Sequence, residues 1–258
     1  MTNLELSSLS REGYRYRSSR TVWIICLVYL SLAIVETILL WVSGMSLFDA
    51  VNHSFSTIAT GGFSTKNTSI AYFDSRIIEG IVIFFMVISG MHFGMIFHFA
   101  TTGSFKVFKN PVVRFYLGTI AVMTLLVAFG LLFEGATKSV GNALWTSLFH
   151  VVSFITTTGF AIGNPYLWPI FPSVMLIYCG IQCGCSGSTS GGIKSDRVLI
   201  ALKAAGCEIR RRLHPNSVYP VRLGNHLVSD NAVNSVLMYF VVYAILATFA
   251  IFALIATG

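Results

Sequence analysis

Charge is scarce in this sequence: Asp, Glu, Lys and Arg make up only 10% of its 258 residues, whereas hydrophobic residues make up 55%. A soluble domain carries roughly a quarter charged residues. An ordinary water-soluble fold is therefore excluded, and a bilayer is the expected solvent. Cysteine is sparse too, its five residues (Cys26, Cys179, Cys183, Cys185, Cys207) lying in or beside apolar segments. They read as buried thiols rather than a disulfide framework. Cys183 and Cys185 lack the accompanying Cys/His pair that zinc requires. The first 20 residues hold Arg11, Arg15, Arg17 and Arg20 but no apolar core, which is not the pattern of a cleavable signal peptide.

What the chain has in quantity is phenylalanine and glycine, 21 and 22 residues, a mix suited to lipid-facing helices that pack closely. A helix needs about 20 apolar residues to cross a hydrocarbon core. Thr21–Val42, Ile77–Ala100, Val113–Phe133 and Ala232–Ala256 meet that length, and Leu167–Cys183 is a shorter fifth candidate. Two further apolar pieces, Leu47–Ala59 and Ala143–Thr156, are too short to cross, and each ends in a Thr/Gly/Phe turn.

The net charge of +7 does not point to nucleic acid, because fourteen of the seventeen basic residues fall in three blocks. These are Arg11–Arg20, Lys106–Arg114 and Lys194–Arg222. All three become cytoplasmic, as the positive-inside rule expects, only if both short pieces dip into the membrane and return. Non-helical backbone at membrane depth survives where it is buried in protein or lines a wet cavity. The charge map thus favours re-entrant loops entered from outside, with the N-terminus cytoplasmic.

An internal repeat says the same. A shift of 97 residues aligns His53–Asn67 with His150–Asn164, and seven of fifteen positions match, including His53/His150, Ser56/Ser153, Thr60/Thr157, Gly62/Gly159 and Phe63/Phe160. The expected fold class is an all-α polytopic membrane protein of tandem helix–pore loop–helix repeats, of the potassium-channel-like type. The expected division is 1–20 cytoplasmic, 21–100 first repeat, 101–112 linker, 113–206 second repeat with a broken inner helix, 207–231 linker, and 232–258 the first helix of an incomplete third repeat.

A cation that sheds its water needs a cage of oxygens, which backbone carbonyls supply without fixed charge. Turning successive carbonyls inward requires dihedrals that glycine accepts at little cost. The candidate ion-binding residues are therefore Thr60, Gly61, Gly62 and Phe63 with Thr157, Thr158, Gly159 and Phe160. The threonines offer hydroxyl oxygens as well, and the two phenylalanines are expected to buttress the loops from behind. Neither loop core carries Asp or Glu, which favours a monovalent ion over calcium. The short helices, with Ser46 and Asn142 as N-caps, would aim their negative C-terminal poles at the cavity.

Gly184-Cys185-Ser186-Gly187-Ser188-Thr189-Ser190-Gly191-Gly192-Ile193-Lys194 is not a nucleotide P-loop, since Ile193 separates Gly192 from Lys194 where that motif needs direct succession. It reads instead as a break in the inner helix, and interrupted helices mark transport sites. Gly184, Gly187, Ser188, Thr189, Gly191, Gly192 and Lys194 are expected to form a flexible gate, with an ordinary cytoplasmic loop as the alternative. His53 and His150 occupy matching places suited to a hydrogen-bonding packing role, and Gly90/Gly94 suit helix packing. His92 and His98 face either the cavity or another helix. Glu36 is the one acid well inside a span. Asp49, Asp74, Glu79 and Glu134 are expected near the outer face, where they would enrich cations.

The stretch Phe48–Ser64 resembles the second pore loop of the TrkH-type membrane subunit in the bacterial Trk/Ktr potassium-uptake family. Thr156-Thr157-Thr158-Gly159-Phe160 resembles its third loop, and Cys185–Lys194 its intramembrane gating loop. His214-Pro215-Asn216 and Tyr219-Pro220 fit the connection that follows. The resemblance implies four repeats around one pore, of which this chain lacks the first and most of the fourth. It implies potassium, held at filter carbonyls only, as the substrate of an uptake system and not an enzyme, with no bound cofactor. It further implies the bacterial inner membrane, a homodimer in the intact family member, a cytosolic nucleotide-binding regulatory subunit, and no nucleic-acid partner. A sodium-permeable relative and a non-conducting truncated scaffold are the alternatives.

Overall fold

The computed structural model describes residues 18–214, 219–224 and 226–256. Most of the N-terminal segment read over 1–20 lies outside the described residues, as do Pro215 and Asn216. Two compact units divide after Lys194, inside the stretch 113–206 read as the second repeat.

In the first unit, α1 (Ser18–Val42) is followed by the short α2 (Leu47–Ile58) and then by a bent pair, α3 (Arg76–Ser89) and α4 (Phe93–Thr102). The same sequence of parts returns as α5 (Pro111–Phe133), the short α6 (Val140–Ile155) and α7 (Ile170–Gln182). Among the described residues three helices are long and apolar enough to cross a membrane, α1, α5 and α9 (Asp230–Ala256), and the α3–α4 pair passes the same test jointly. The span expected to run unbroken over Ile77–Ala100 is instead bent by 104° at Gly90–His92. Gly90 must stay bare there, since a Cβ would lie 2.3 Å from the Tyr116 hydroxyl of α5. His92 then restarts the helix, its Nδ1 accepting from the Gly94 N–H at 3.0 Å.

Lipid removes most of the hydrophobic drive between helices, so close packing has to hold them together. Small residues provide it. A Cβ on Gly130 of α5 would lie 2.7 Å from Phe171 and 2.8 Å from Pro172 of α7, and one on Gly80 of α3 would touch Trp145 of α6 at 3.6 Å. One continuous core links α3, α5, α6 and α7 through Val82, Met86, Tyr116, Val127, Phe149, Val152 and Leu176. A second, smaller cluster seats α1 through Val28 and Ala33 against Ile58, Phe85 and Phe93.

The second unit holds α8 (Ser195–Leu213), a two-residue antiparallel pair of β1 (Arg222–Leu223) with β2 (His226–Leu227), and α9. Arg210, Arg211 and Arg212 close the last turn of α8, where positive charge suits the carbonyl end of the helix. Lys203 Nζ donates to the Arg222 carbonyl at 2.8 Å, and the Arg197 guanidinium lies over the Tyr239 ring at 4.0 Å. Helix α9 is apolar all round and mostly exposed, as a span awaiting lipid or further helices is.

Candidate functional site

The short helix α2 starts at a reciprocal cap. Ser46 Oγ accepts from the Asp49 N–H (3.1 Å) and donates to the Asp49 carboxylate (2.8 Å). The same carboxylate accepts from Thr65 (2.5 Å) and pairs with Lys66 (3.5 Å). The chain leaving the loop is thereby stapled to the start of the helix. Asp49 is buried and engaged, so it does not act as the exposed cation collector expected of it. Glu79 is likewise buried, accepting from Arg76 (3.2 Å) and from the Trp145 indole. Asp74 and Glu134 do remain exposed.

The two loops have one geometry. Thr60 and Thr157 take positive φ values of 53° and 57°, and two residues later Gly62 and Gly159 take 69° and 84°. A threonine in this left-handed region is strained, so the same strain at equivalent positions is a built feature of the fold. What holds it is the helix behind. Thr60 and Gly61 donate their N–H groups to Thr57 O and Ser56 O, at 3.0 and 2.8 Å. Thr157, Thr158 and Gly159 donate to Phe154 O and, twice, Ser153 O, at 3.0, 2.9 and 3.3 Å. In a trans peptide the C=O of one residue points opposite to the N–H of the next, and no described peptide bond is cis. The Thr60, Thr157 and Thr158 carbonyls therefore point away from their helices. Among the described residues no hydrogen bond ends on the carbonyl oxygens of Thr60, Gly61, Thr157 or Thr158. Such a row of outward carbonyls, beyond the negative C-terminal ends of α2 and α6, is an environment for a dehydrated cation.

The loops also meet. A Cβ on Gly62 would fall 1.9 Å from the Thr158 carbonyl oxygen, so only glycine allows the strands this close. Phe160 is buried beside His53, ring centroids 5.8 Å apart, and its carbonyl accepts from Ser153 Oγ at 2.7 Å. Phe63 differs: it is 82% exposed and is not buried behind its loop as Phe160 is. The threonine hydroxyls have protein partners, Thr60 donating to Ala59 O at 2.7 Å and Thr157 accepting from the Gly191 N–H at 2.8 Å. His53 and His150 repeat one contact, each Nδ1 donating to the carbonyl four residues earlier, Asp49 O (2.7 Å) and Thr146 O (2.8 Å). Both rings are buried packing elements. Asn142 is not the N-cap of α6. Ser139 takes that place, accepting from the Asn142 N–H at 3.5 Å, while Asn142 Oδ1 accepts from Arg76 at 3.0 Å.

The segment 183–194 is an irregular strap seated in the break between α3 and α4. Cys185 N–H donates to Gly90 O (2.8 Å) and Phe93 N–H to Gly187 O (3.0 Å). A Cβ on Gly184 would lie 2.7 Å from Gly90 O, and one on Gly187 would lie 2.5 Å from the His92 ring. Thr189 Oγ1 donates to Ile58 O at 2.8 Å, the last residue of α2. Ser188 and Ser190 hydroxyls meet at 2.7 Å, and Lys194 Nζ donates to Ser190 O. The expected residues are thus brought together with the loops. The residues not assigned to the site beforehand are Ser56 and Ser153, which carry the loop backbone, and Ile58, which receives the strap together with Gly90 and His92, read from the sequence as a packing glycine and as a histidine facing the cavity or another helix. The serines were detectable, since they match across the repeat; the break was not, because it is made by partners distant in sequence.

Two short helices that stop inside the bundle, each passing into an outward-carbonyl loop and then an inner helix, define a polytopic all-α membrane protein of the helix–pore loop–helix class. Residues 3–258 match the family model for TrkH, described as a cation transport protein, and the chain belongs to that family. It is 37% identical over 242 residues to the Trk system potassium uptake protein TrkH of Salmonella typhimurium, covering 93% of this chain and 50% of that protein. The TrkH of Vibrio parahaemolyticus is 38% identical over 248 residues, covering 94% and 50%. The crystal structure of the potassium transporter TrkH from Vibrio parahaemolyticus superposes with a TM-score of 0.87 at 36% identity, covering 96% of this chain and 53% of that one. The chain spans about half the length of these curated relatives.

Proposed function

We propose that this chain supplies two of the four filter strands of a Trk-type potassium-uptake pore. The observation that carries the reading is the pair of loops with matching strained dihedrals, whose carbonyls face away from their own helices. Thr60–Phe63 and Thr157–Gly159 hold potassium through main-chain oxygens, the Phe160 carbonyl being engaged by Ser153, and the strap at Gly184, Gly187, Ser188, Thr189, Gly191, Gly192 and Lys194 gates it. Residues 21–100 and 113–206 are the two filter-bearing repeats, and 232–258 opens another. The basic segments 1–20, 101–112 and 207–231 face the cytoplasm of a bacterial inner membrane. The intact assembly pairs two such subunits and is controlled by a cytosolic nucleotide-binding subunit. The names of the relatives, each a Trk system potassium uptake protein, support potassium as the ion.

The test uses a completed chimera, in which this chain replaces the half of the Vibrio relative that it matches. Expressed in a bacterium lacking potassium uptake, the chimera should restore growth at limiting potassium and take up rubidium in preference to sodium. A chimera present in the membrane at normal levels that moves no cation would overturn the proposal. Equal passage of sodium would favour a sodium-permeable transporter instead.

A further inference from the structure

Hydrogen bonds join the strap to the loops and the helices behind them. The hydroxyl of Thr189 reaches across 131 positions of sequence to the Ile58 carbonyl at 2.8 Å, with a longer contact of 3.4 Å to Ser89 O. Gly191 N–H meets the Thr157 side chain at 2.8 Å. Ile58 ends the helix behind the first loop, and Thr157 is the strained first residue of the second loop. The strap is therefore fastened to the first loop at the end of its helix and to the second at its first residue. Thr57 donates its own hydroxyl to His53 O at 2.7 Å and Thr60 donates to Ala59 O at 2.7 Å. Neither neighbouring hydroxyl is turned to Ile58 O, so the strap is its side-chain donor.

The strap is not loose enough for these contacts to be incidental. It is clamped into the α3–α4 break by the Cys185–Gly90 and Phe93–Gly187 hydrogen bonds, and Gly184 and Gly187 leave no room for a Cβ. Gly192 is as tight, since a Cβ there would fall 2.1 Å from Cys183 Sγ. Moving the strap clear of a pore would break the clamp and both fastenings together. An orphaned helix-end carbonyl and a threonine released at positive φ would then relax toward less strained conformations.

We propose that Thr189 is a positioning residue for ion selectivity, holding the first loop in its selective geometry while the Gly191–Thr157 contact does the same for the second. Gate and filter are one mechanical unit, and displacing the strap loosens the cation cage. This rests on the reading of the loops as filter strands.

The experiment measures uptake of rubidium and sodium by the completed chimera, with membrane levels quantified for every variant. Thr189→Val keeps the shape and removes the donor, and Thr189→Ser restores it. The expected result is that Thr189→Val lowers the preference for rubidium over sodium about tenfold, the scale of one lost hydrogen bond. Thr189→Ser should stay within about twofold of the parent. Thr157→Val should lower the preference by a similar factor through the other fastening. If Thr189→Val alters only the maximal rate and leaves the preference intact, Thr189 serves the gate alone and the inference is overturned. Gly62→Ala separates the two levels. Loss of selectivity there, with Thr189→Val silent, defeats the coupling but not the filter. Unchanged selectivity in Gly62→Ala defeats the filter reading and the coupling with it.

Discussion

Gly62 and Gly159 occupy equivalent places in the two loops yet face different surroundings, and that difference leads to a prediction that a further strand packs beside Gly159 in the working pore. In this chain a Cβ on Gly62 would stand 1.9 Å from the Thr158 carbonyl oxygen of the next loop, whereas a Cβ on Gly159 meets nothing within 4 Å. A carbon and a carbonyl oxygen rest at roughly 3.3 Å or more. Gly62→Ala therefore forces the strands apart by well over ~1 Å, against the roughly 0.5 Å tolerance of a preorganised site. The positive φ of 69° adds about 1–2 kcal/mol of strain for a side chain. If the repeat continues around a pore, the strand that follows this chain places its own carbonyl against Gly159. In the completed chimera Gly159→Ala should then be as harmful as Gly62→Ala, each lowering the rubidium-over-sodium preference at least about tenfold, equivalent to about 1.4 kcal/mol. Competitive uptake at fixed rubidium and rising sodium reads the ratio directly. A benign Gly159→Ala beside a damaging Gly62→Ala would refute the reasoning, because it would mean that no strand follows the second loop.

Two further predictions concern the supports. Asp49→Ala removes the cap partner of Ser46, the Thr65 hydrogen bond and the Lys66 ion pair. It should destabilise the chimera by about 2 kcal/mol, while Lys66→Met, which loses only a partly exposed ion pair, should cost less than about 1 kcal/mol. Thermal unfolding in detergent checks the order, and equal losses would sink it. Gly192→Ala should cut uptake strongly because its Cβ would overlap Cys183 Sγ at 2.1 Å. Cys183→Ala in the same molecule should recover part of the loss, giving a coupled cycle; strictly additive effects would contradict the clash.

Much of this architecture could be read from residue order because membrane solvation leaves few choices. Leu47–Ala59 was too short to cross and too apolar to leave, and the helix found there runs over Leu47–Ile58. The matched positions Thr60/Thr157 and Gly62/Gly159 carry the same dihedral signs in space. What escaped sequence reasoning depends on partners far along the chain. Gly90 reads as a packing glycine, which it is, against Tyr116. The bend beside it needs the Cys185 N–H to donate to Gly90 O and the Gly187 carbonyl to accept from Phe93 N–H, and His92 to act as an N-cap in place of the usual Ser, Thr, Asp or Asn. Asp49 and Glu79 look like surface acids until Thr65, Lys66 and Trp145 close over them. Ser139 and Asn142 are both good caps by type, and only the path of the chain into α6 chooses Ser139.

Phe63 carries the same logic in the opposite direction along the chain. Its equivalent, Phe160, is 1% exposed because it lies on the preceding repeat, with its ring 5.8 Å from that of His53. A shift of 97 residues maps Phe160 onto Phe63. In a pore of more than two strands, as proposed, Phe63 would pack on the pore helix of a neighbouring repeat as Phe160 packs beside His53, and its 82% exposed side chain is the face such a repeat would cover. Truncating a buried phenylalanine costs about 3–5 kcal/mol. In the completed chimera, where the relative supplies the preceding repeat, Phe63→Ala and Phe160→Ala should lower thermal stability by similar amounts within that range. If Phe63→Ala costs less than about 0.5 kcal/mol, as surface changes do, then Phe63 is a lipid-facing side chain. The first loop would in that case not be preceded by a strand packed as the second is packed on the first.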